Sequence, residues 1–382
     1  MKAHSKPLRV GIMGAANIAR KNLVAICNSS SACEIVAIAS RSSQKAESLV
    51  QNYAPKDKQI LIFSGESSYS DLLECDLIDA VYIPLPTTLK MEWTMKALLA
   101  GKHVLCEKPV ASSASEYKKM IDLAKAQGKY IMDGAMFVHN IRTHHLLDFI
   151  SHKDVFGDVT RIGASFTFLG DDDFLSNNIR CSQDCDFHGC LGDLGWYCIQ
   201  FAILVFRRVG YSTIKTAQVT HCVKNEDQVP IDVTCLVTFG SGDGIESSRD
   251  KILSFHSSFC QSLSQRFEIC GSKKSLVMED AVLPNSRSVA YQVKSQELTY
   301  IDQFSVHETD TCEIPGGPVQ EVLMWRNFSN FCANENKWDD PNATNVSSVS
   351  LETQRVLDAL MKSIEQNYAV INMIDFETIV EN

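Results

Sequence analysis

The first residues whose types and spacing could do chemistry form the stretch Gly11-Ile12-Met13-Gly14-Ala15-Ala16-Asn17-Ile18-Ala19. In a dinucleotide loop, one glycine permits a tight turn, a second lets backbone approach a pyrophosphate, and a third small residue lets helix pack on strand. Gly14 can take the first role and Ala19 the third, whereas Ala16 turns a Cβ toward where a phosphate would lie. A helix starting at Asn17 would present its amide end to an anion. The pattern alone leaves open a dinucleotide site or a nucleotide-free strand-to-helix turn. The next strand, Glu34–Ala39, ends in Ser40-Arg41-Ser42-Ser43, with no carboxylate where NAD enzymes bind the ribose 2′-hydroxyl. Arg41 could pair with a 2′-phosphate and stack on adenine, favouring NADP over NAD; otherwise it is a solvated arginine in a helical first turn.

Two other clusters invite chemistry. Cys181, Cys185, His188, Cys190 and Cys198 are separated by three, two, one and seven residues, unlike the paired arms of structural zinc sites. Free thiols and no metal are the expectation. Asp171-Asp172-Asp173 resembles a cation site but is expected to be a solvated loop.

The elements that must position these residues fall into two rhythms. Apolar runs at Leu8–Met13, Ile35–Ala39, Ala80–Ile83, His103–Cys106 and Tyr130–Met132 alternate with helical patterns near Asn17–Cys27, Gln44–Asn52, Thr87–Leu99 and Ala114–Ala126. Such βα units imply a parallel sheet with helices on both faces. Beyond residue 135, a helix near Arg142–Ile150, a strand at Val159–Phe168 and a helix near Leu194–Phe206 precede consecutive strand-like runs, among them Thr213–Val223, Ile231–Phe239, Ile252–Phe259 and Phe267–Cys270. Late helices are expected near Val319–Cys332 and Val346–Ile364. The predicted fold is α/β: a Rossmann-type parallel-sheet domain over residues 1–135, then an α+β domain over 136–382 with a mainly antiparallel open sheet.

Gly101-Lys102-His103-Val104-Leu105-Cys106-Glu107-Lys108-Pro109 resembles the signature of the glucose–fructose oxidoreductase/inositol dehydrogenase (Gfo/Idh/MocA) family. Further matches follow in order: the Gly11–Ala19 loop, Pro84-Leu85-Pro86-Thr87, and Gly189-Cys190-Leu191-Gly192-Asp193-Leu194-Gly195-Trp196-Tyr197. Met132–Asn140 and Gly170–Leu175 are similar to a plant-type branch, related to dimeric dihydrodiol dehydrogenase and NADP-linked xylose dehydrogenase. The resemblance implies an oxidoreductase that moves hydride between NADP(H) and a CH–OH or carbonyl group of a small sugar, polyol or diol. It implies cofactor contacts at Gly14, Ala15, Ala16, Asn17, Ile18, Ser40, Arg41, Ser42, Leu85, Pro86, Glu107 and Lys108.

By the same resemblance Lys108 steadies the oxyanion, Tyr197 is the general acid/base, and Asp193 orients substrate or lysine from one helix face. A phenol of pKa about 10 needs a nearby cation for that work. Trp196 could stack on substrate or pack in the core, and His188 could approach the substrate. Counting from Pro86, Lys90 stands where relatives often carry a histidine, and it is left outside the expected site. Ile141 replaces a proline found in relatives. The alternative is a non-catalytic NADP-binding regulatory or interaction protein of the same fold.

Composition narrows partners. Lys+Arg 36 against Asp+Glu 46 gives a net charge of −10, which argues against a nucleic-acid surface. No apolar run is expected to approach the roughly 20 residues of a membrane helix. The polar Met1–Pro7 leaves no room for a leader before the first strand, and 14 scattered cysteines suit a reducing compartment, so a cytoplasmic protein is expected. The family resemblance implies that the second domain binds substrate and serves dimerisation, so a homodimer is expected.

Overall fold

The computed structural model describes residues 6–241, 249–284, 289–295, 298–300, 303–304 and 308–380. Met1–Ser5, on which part of the leader expectation rests, lie outside them. The chain divides into two compact units, Met1–His139 with Pro318–Leu351, and Asn140–Gly317 with Glu352–Asn382. The second stretch of the first unit corrects the expected single 136–382 domain.

The first unit holds β1 (Leu8–Met13), α1 (Asn17–Cys27), β2 (Cys33–Ser40), α2 (Ser43–Tyr53), β3 (Leu61–Ser64), α3 (Ser68–Glu74), β4 (Ala80–Ile83), α4 (Thr87–Leu99), β5 (His103–Cys106), α5 (Ala114–Ala126) and β6 (Ile131–Asp133). Its sheet is wholly parallel in the order β3-β2-β1-β4-β5-β6. Central strands covered on both faces should read as continuous apolar runs, and all four residues of β4 are buried. β3 and α3 are additions to the sequence reading. β3 sits at the sheet edge and alternates half-buried with exposed residues, so its apolar signal is short. Ser113 caps α5 by accepting from the Glu116 amide, while the Glu116 carboxylate accepts from the Ser112 amide.

The second unit begins with α6 (Ile141–Ser151) and α7 (Lys153–Phe156). Asn140 accepts the Arg142 amide at 2.8 Å, so α6 starts on a side-chain cap and Ile141 at the first helical position needs no proline. Then come β7 (Val159–Leu169), α8 (Asp172–Asn177), α9 (Gln183–Asp186), a π-helical turn Leu191–Gly195 and α10 (Trp196–Arg208). The strands β8 (Thr213–Lys224), β9 (Pro230–Gly240), β10 (Lys251–Ser258), β11 (Cys260–Gly271), β12 (Lys274–Met278) and β13 (Val289–Ser295) follow, with a small pair β14 (Leu298–Tyr300) and β15 (Gln303–Phe304), then β16 (Glu308–Ile314). Helix α11 (Gln320–Ala333) belongs to the first unit, α12 (Pro341–Glu365) starts there and ends in the second, and β17 (Ile371–Asn372) and α13 (Met373–Val380) close the described chain.

The large sheet has nine strands in the order β16-β13-β12-β11-β7-β10-β9-β8-β17, antiparallel except where β10 runs parallel to β7. An antiparallel hairpin turning at Gly271–Lys274 joins β11 to β12. The helical run Gln183–Arg208 reaches the length and mean hydropathy, 1.5, of a membrane span, contrary to the expectation that none does, but 94% of that window is buried. A helix apolar all round and enclosed is a core helix.

In the first unit, α11 brings Trp325 into the core, fully buried and edge-on to Tyr82 at 5.8 Å. Tyr130 donates from its hydroxyl to the Ala343 carbonyl, and Ser350 donates to the Asp133 carboxylate. Apolar rings and buried polar partners thus fix the returning segment onto the parallel-sheet unit.

Candidate functional site

Strand order reverses between β1 and β4, and ligands of such sheets bind in the crevice outside the carboxyl ends of the strands there. Three loops leave those ends, after β1, β4 and β5. Gly14 has φ +111°, which a side chain would strain, and its amide donates to the Ala39 carbonyl at 2.8 Å. A Cβ on Gly14 would lie 3.2 Å from Leu85, so the loops after β1 and β4 meet here. Helix α1 starts at Asn17 behind Ala16, which offers its first amides no side-chain acceptor.

A cleft of about 620 Å³ opens beside that helix end. Ala15, Ala16, Asn17 and Arg20 line one wall; Ser42, Gln44, Lys45, Ser48, Leu49, Asn52 and Tyr53 line the other. Its charged lining residues are Arg20 and Lys45, both cations, and Arg20 lies 5.9 Å from the Tyr53 ring centre. The volume suits a nucleotide and the charge an anion. Ser42 caps α2 by accepting from the Lys45 amide, and buried Ser40 accepts the Ser42 amide at 3.2 Å, so these two hydroxyls shape the turn. Exposed Arg41 reaches the Tyr69 phenol instead: burial raises that phenol above its usual value, and the Arg41 charge and hydrogen bond draw it partly back. Ile18 is half-buried and lines no part of this cleft.

Beyond β5, Glu107 is buried and accepts a 2.5 Å hydrogen bond from Tyr82. Tyr82 accepts from Asn22, and Asn22 accepts from the Trp325 indole at 2.9 Å. Burial raises the Glu107 carboxyl, with Tyr82, Lys108 and Lys90 opposing the rise. Gly134 makes room for it, since a Cβ there would lie 2.9 Å from the carboxyl carbon. Lys108 is half-buried, and the next peptide, Lys108-Pro109, is cis. Lys90, left outside the expected site, is buried and donates to the Pro109 carbonyl at 2.6 Å.

In the second unit, Asp193 lies in the π-helical turn and Tyr197 in the first turn of α10, so one continuous helical run carries both, but not as a single α-helical face. Asp193 pairs with Arg180 at 3.2 Å. Tyr197 is 6% exposed, its ring tilted against Phe166 at 5.6 Å. Trp196 is fully buried and gives no face to a ligand, which corrects the stacking expectation and leaves its core alternative. His188 is buried with its ring 4.2 Å from that of Phe187. Asp171 caps α8 through the Phe174 amide, so the acidic triplet begins a helix rather than a loop.

No three His, Cys, Asp or Glu side chains among the described residues could hold a metal. In the cysteine cluster, Cys190 donates to the Ser257 carbonyl and Cys198 to Leu194, and burial pushes the Cys181 thiol up to about 11. All 14 cysteines are free.

Arg20, Lys45 and Arg180 escaped the sequence reading, and Lys90 was set aside by it. A trace existed for two of them: Arg20 follows Asn17 by one helical turn, and Lys45 sits in the first turn after Ser42. Lys90 shares the buried face of α4 with Thr87, Thr94, Ala97 and Leu98, an odd place for a lysine.

A family model described as "Oxidoreductase family, NAD-binding Rossmann fold" matches residues 8–135, and one described as "GFO/IDH/MocA C-terminal domain" matches residues 149–277. The dTDP-3,4-didehydro-2,6-dideoxy-alpha-D-glucose 3-reductase of Streptomyces violaceoruber is 35% identical over 200 residues, 52% of this chain and 55% of that protein. The D-xylose 1-dehydrogenase (NADP(+)) 2 of Haloferax volcanii is 31% identical over 194 residues, 51% and 56%. The chain thus spans about half the length of the curated relatives it matches. The crystal structure of KijD10, a 3-ketoreductase from Actinomadura kijaniata in complex with NADP and TDP-benzene, superposes with TM-score 0.74 at 25% identity, covering 93% of this chain and 97% of that one. An aldose-aldose oxidoreductase from Caulobacter crescentus shares the fold at TM-score 0.75 and 18% identity, over 96% and 99%.

Proposed function

Since the chain belongs to the Gfo/Idh/MocA oxidoreductase family, we propose that it is an NADP(H)-dependent oxidoreductase acting on the CH–OH or carbonyl group of a small sugar, polyol or diol. The observation that carries this reading is the crevice at the strand-order reversal, where the Gly14 loop meets Leu85 beside a cleft whose charged lining is Arg20 and Lys45. The open amides of α1 and the cations Arg20, Arg41 and Lys45 suit phosphates, and the missing carboxylate after β2 suits a 2′-phosphate. The xylose dehydrogenase is named for NADP(+), and the 3-ketoreductase structure is a complex with NADP, which supports that preference.

When bound, the nicotinamide supplies hydride exchange. The protein's share is electrostatics and proton movement. By the family resemblance, the Lys108 ammonium would steady negative charge developing on a substrate oxygen, and the Tyr197 hydroxyl would give or take a proton. Arg180 fixes the Asp193 carboxylate one helical step before Tyr197. Free thiols throughout fit a cytoplasmic home, and we propose a homodimer as the working state.

The test is turnover, followed at the NADPH absorbance, over D-xylose, scyllo-inositol and trans-1,2-dihydrobenzene-1,2-diol. Turnover that is lost in both Lys108→Ala and Tyr197→Phe supports the enzyme. NADPH binding without turnover of any of them favours the regulatory alternative, and an active Tyr197→Phe protein removes the phenol from the mechanism.

A further inference from the structure

Lys90 has no role in the reading above, yet its placement is unusual. It lies on the sheet-facing side of α4, 2% exposed, between Thr87 and Thr94. Burying an ammonium is costly unless good acceptors meet its donors. Its hydrogen bonds include one to the Pro109 carbonyl at 2.6 Å and one to the Thr87 hydroxyl at 3.4 Å. One partner lies in the first turn of α4, directly after the Leu85-Pro86 loop, and the other is one residue beyond Lys108. The opposite flank of the same turn is held by Tyr82 on Glu107 and by the Glu107 amide on the Ile83 carbonyl at 3.1 Å.

We propose that Lys90 is a positioning residue for Lys108. Its ammonium binds the Pro109 carbonyl, closes the Glu107–Pro109 turn against the start of α4, and so fixes the backbone from which Lys108 projects. The proposal rests on the catalytic reading of Lys108. A lysine bond to a carbonyl is charge-assisted and directional, which a methionine of similar shape cannot reproduce.

The test uses the full chain with Lys90→Met, Lys90→Arg and Thr87→Val. Hydrogen exchange is followed in peptides covering 104–112 and 8–20, alongside steady-state kinetics with NADP+ on the compound of the panel above that the wild type oxidises. Lys90→Met is expected to speed exchange in 104–112 by about tenfold while 8–20 stays within about twofold. A misplaced lysine should lower kcat by about 10- to 100-fold with KM for NADP+ changed less than about threefold, and Lys90→Arg should recover much of it.

Unchanged exchange at 104–112 in folded Lys90→Met protein overturns the proposal. So does a uniform rise across both peptides, or a loss carried by KM alone, since each is what a merely structural lysine would give. If Lys90→Met does not fold, Thr87→Val decides: a local rise of about two- to threefold supports the clamp, and none refutes it. Wild-type turnover in Lys108→Ala would instead sink the catalytic reading of Lys108, whatever the exchange data say of the turn.

Discussion

The sharpest packing prediction concerns Gly134, which receives the Glu107 carboxyl. A Cβ at 134 would stand 2.9 Å from the carboxyl carbon and from Oε1, and 3.0 Å from Oε2. Comfortable contact begins near about 3.5 Å, so the carboxyl must retreat by roughly half an ångström. It has little freedom to do so: Oε1 is held by Tyr82 at 2.5 Å, the Glu107 amide by Ile83, and Gly134 itself by the Cys106 carbonyl at 2.8 Å. Gly134→Ala should therefore cost about 1–3 kcal/mol, the usual range for overpacking. At 2 kcal/mol, the melting temperature of a unit of this size should fall by roughly 4–8 °C. The clash explanation is separable from any intrinsic preference for glycine by a double-mutant cycle with Glu107→Ala. In that background the same alanine should cost less than about 0.5 kcal/mol, because the opposing carboxyl is gone. Urea melts of the four proteins measure the coupling. An equal cost in both backgrounds would refute the reasoning.

Other predictions follow from the same residues. Arg41→Ala should weaken NADP+ by about 10- to 100-fold while leaving NAD+ nearly unchanged, the loss of one charge-assisted bond; calorimetric titrations with both cofactors decide, and equal losses remove the 2′-phosphate role. The Glu107 carboxyl is raised above its usual 4.5 by burial, so the folded state holds its proton more tightly than the unfolded chain. That contribution to stability is full below pH 4.5 and is lost as pH rises through the folded value. Glu107→Gln, which keeps an acceptor for Tyr82, should flatten this decline in urea melts run across pH, and a parallel curve would contradict it. Trp325→Phe strands the buried Asn22 oxygen that its indole now meets at 2.9 Å, and should cost about 1–3 kcal/mol by the same measurement.

Much of the first unit was legible because its signals are local. A parallel strand buried on both faces reads as an unbroken apolar run, as in β4, and α1 shows a buried stripe at Ala19, Leu23 and Ile26. The edge strand β3 was not, since half-exposure dilutes its pattern. The Gly14 loop and the Glu107–Pro109 turn announce themselves by residue type. Arg20 and Lys45 do not: on a polar helix face a cation looks solvated, and only the cleft between α1 and α2 gives it a role. The π-helical turn at Leu191–Gly195 is silent as well, because one extra residue per hydrogen-bonded ring leaves no mark on composition.

The return of residues 318–351 to the first unit marks a different limit. The apolar pattern of α11 states that one face is buried, and nothing in it names the partner. Here the partner is read only in three dimensions, where Trp325 completes a hydrogen-bonded chain through Asn22 and Tyr82 to Glu107. A residue more than two hundred positions downstream thus supports the carboxyl adjoining Lys108. Buried polar chains of this kind strengthen when every member is satisfied and weaken as a unit when one is lost. Damage at Trp325 should consequently be felt at the Glu107–Pro109 turn before it is felt at the Gly14 loop, although both leave the same sheet.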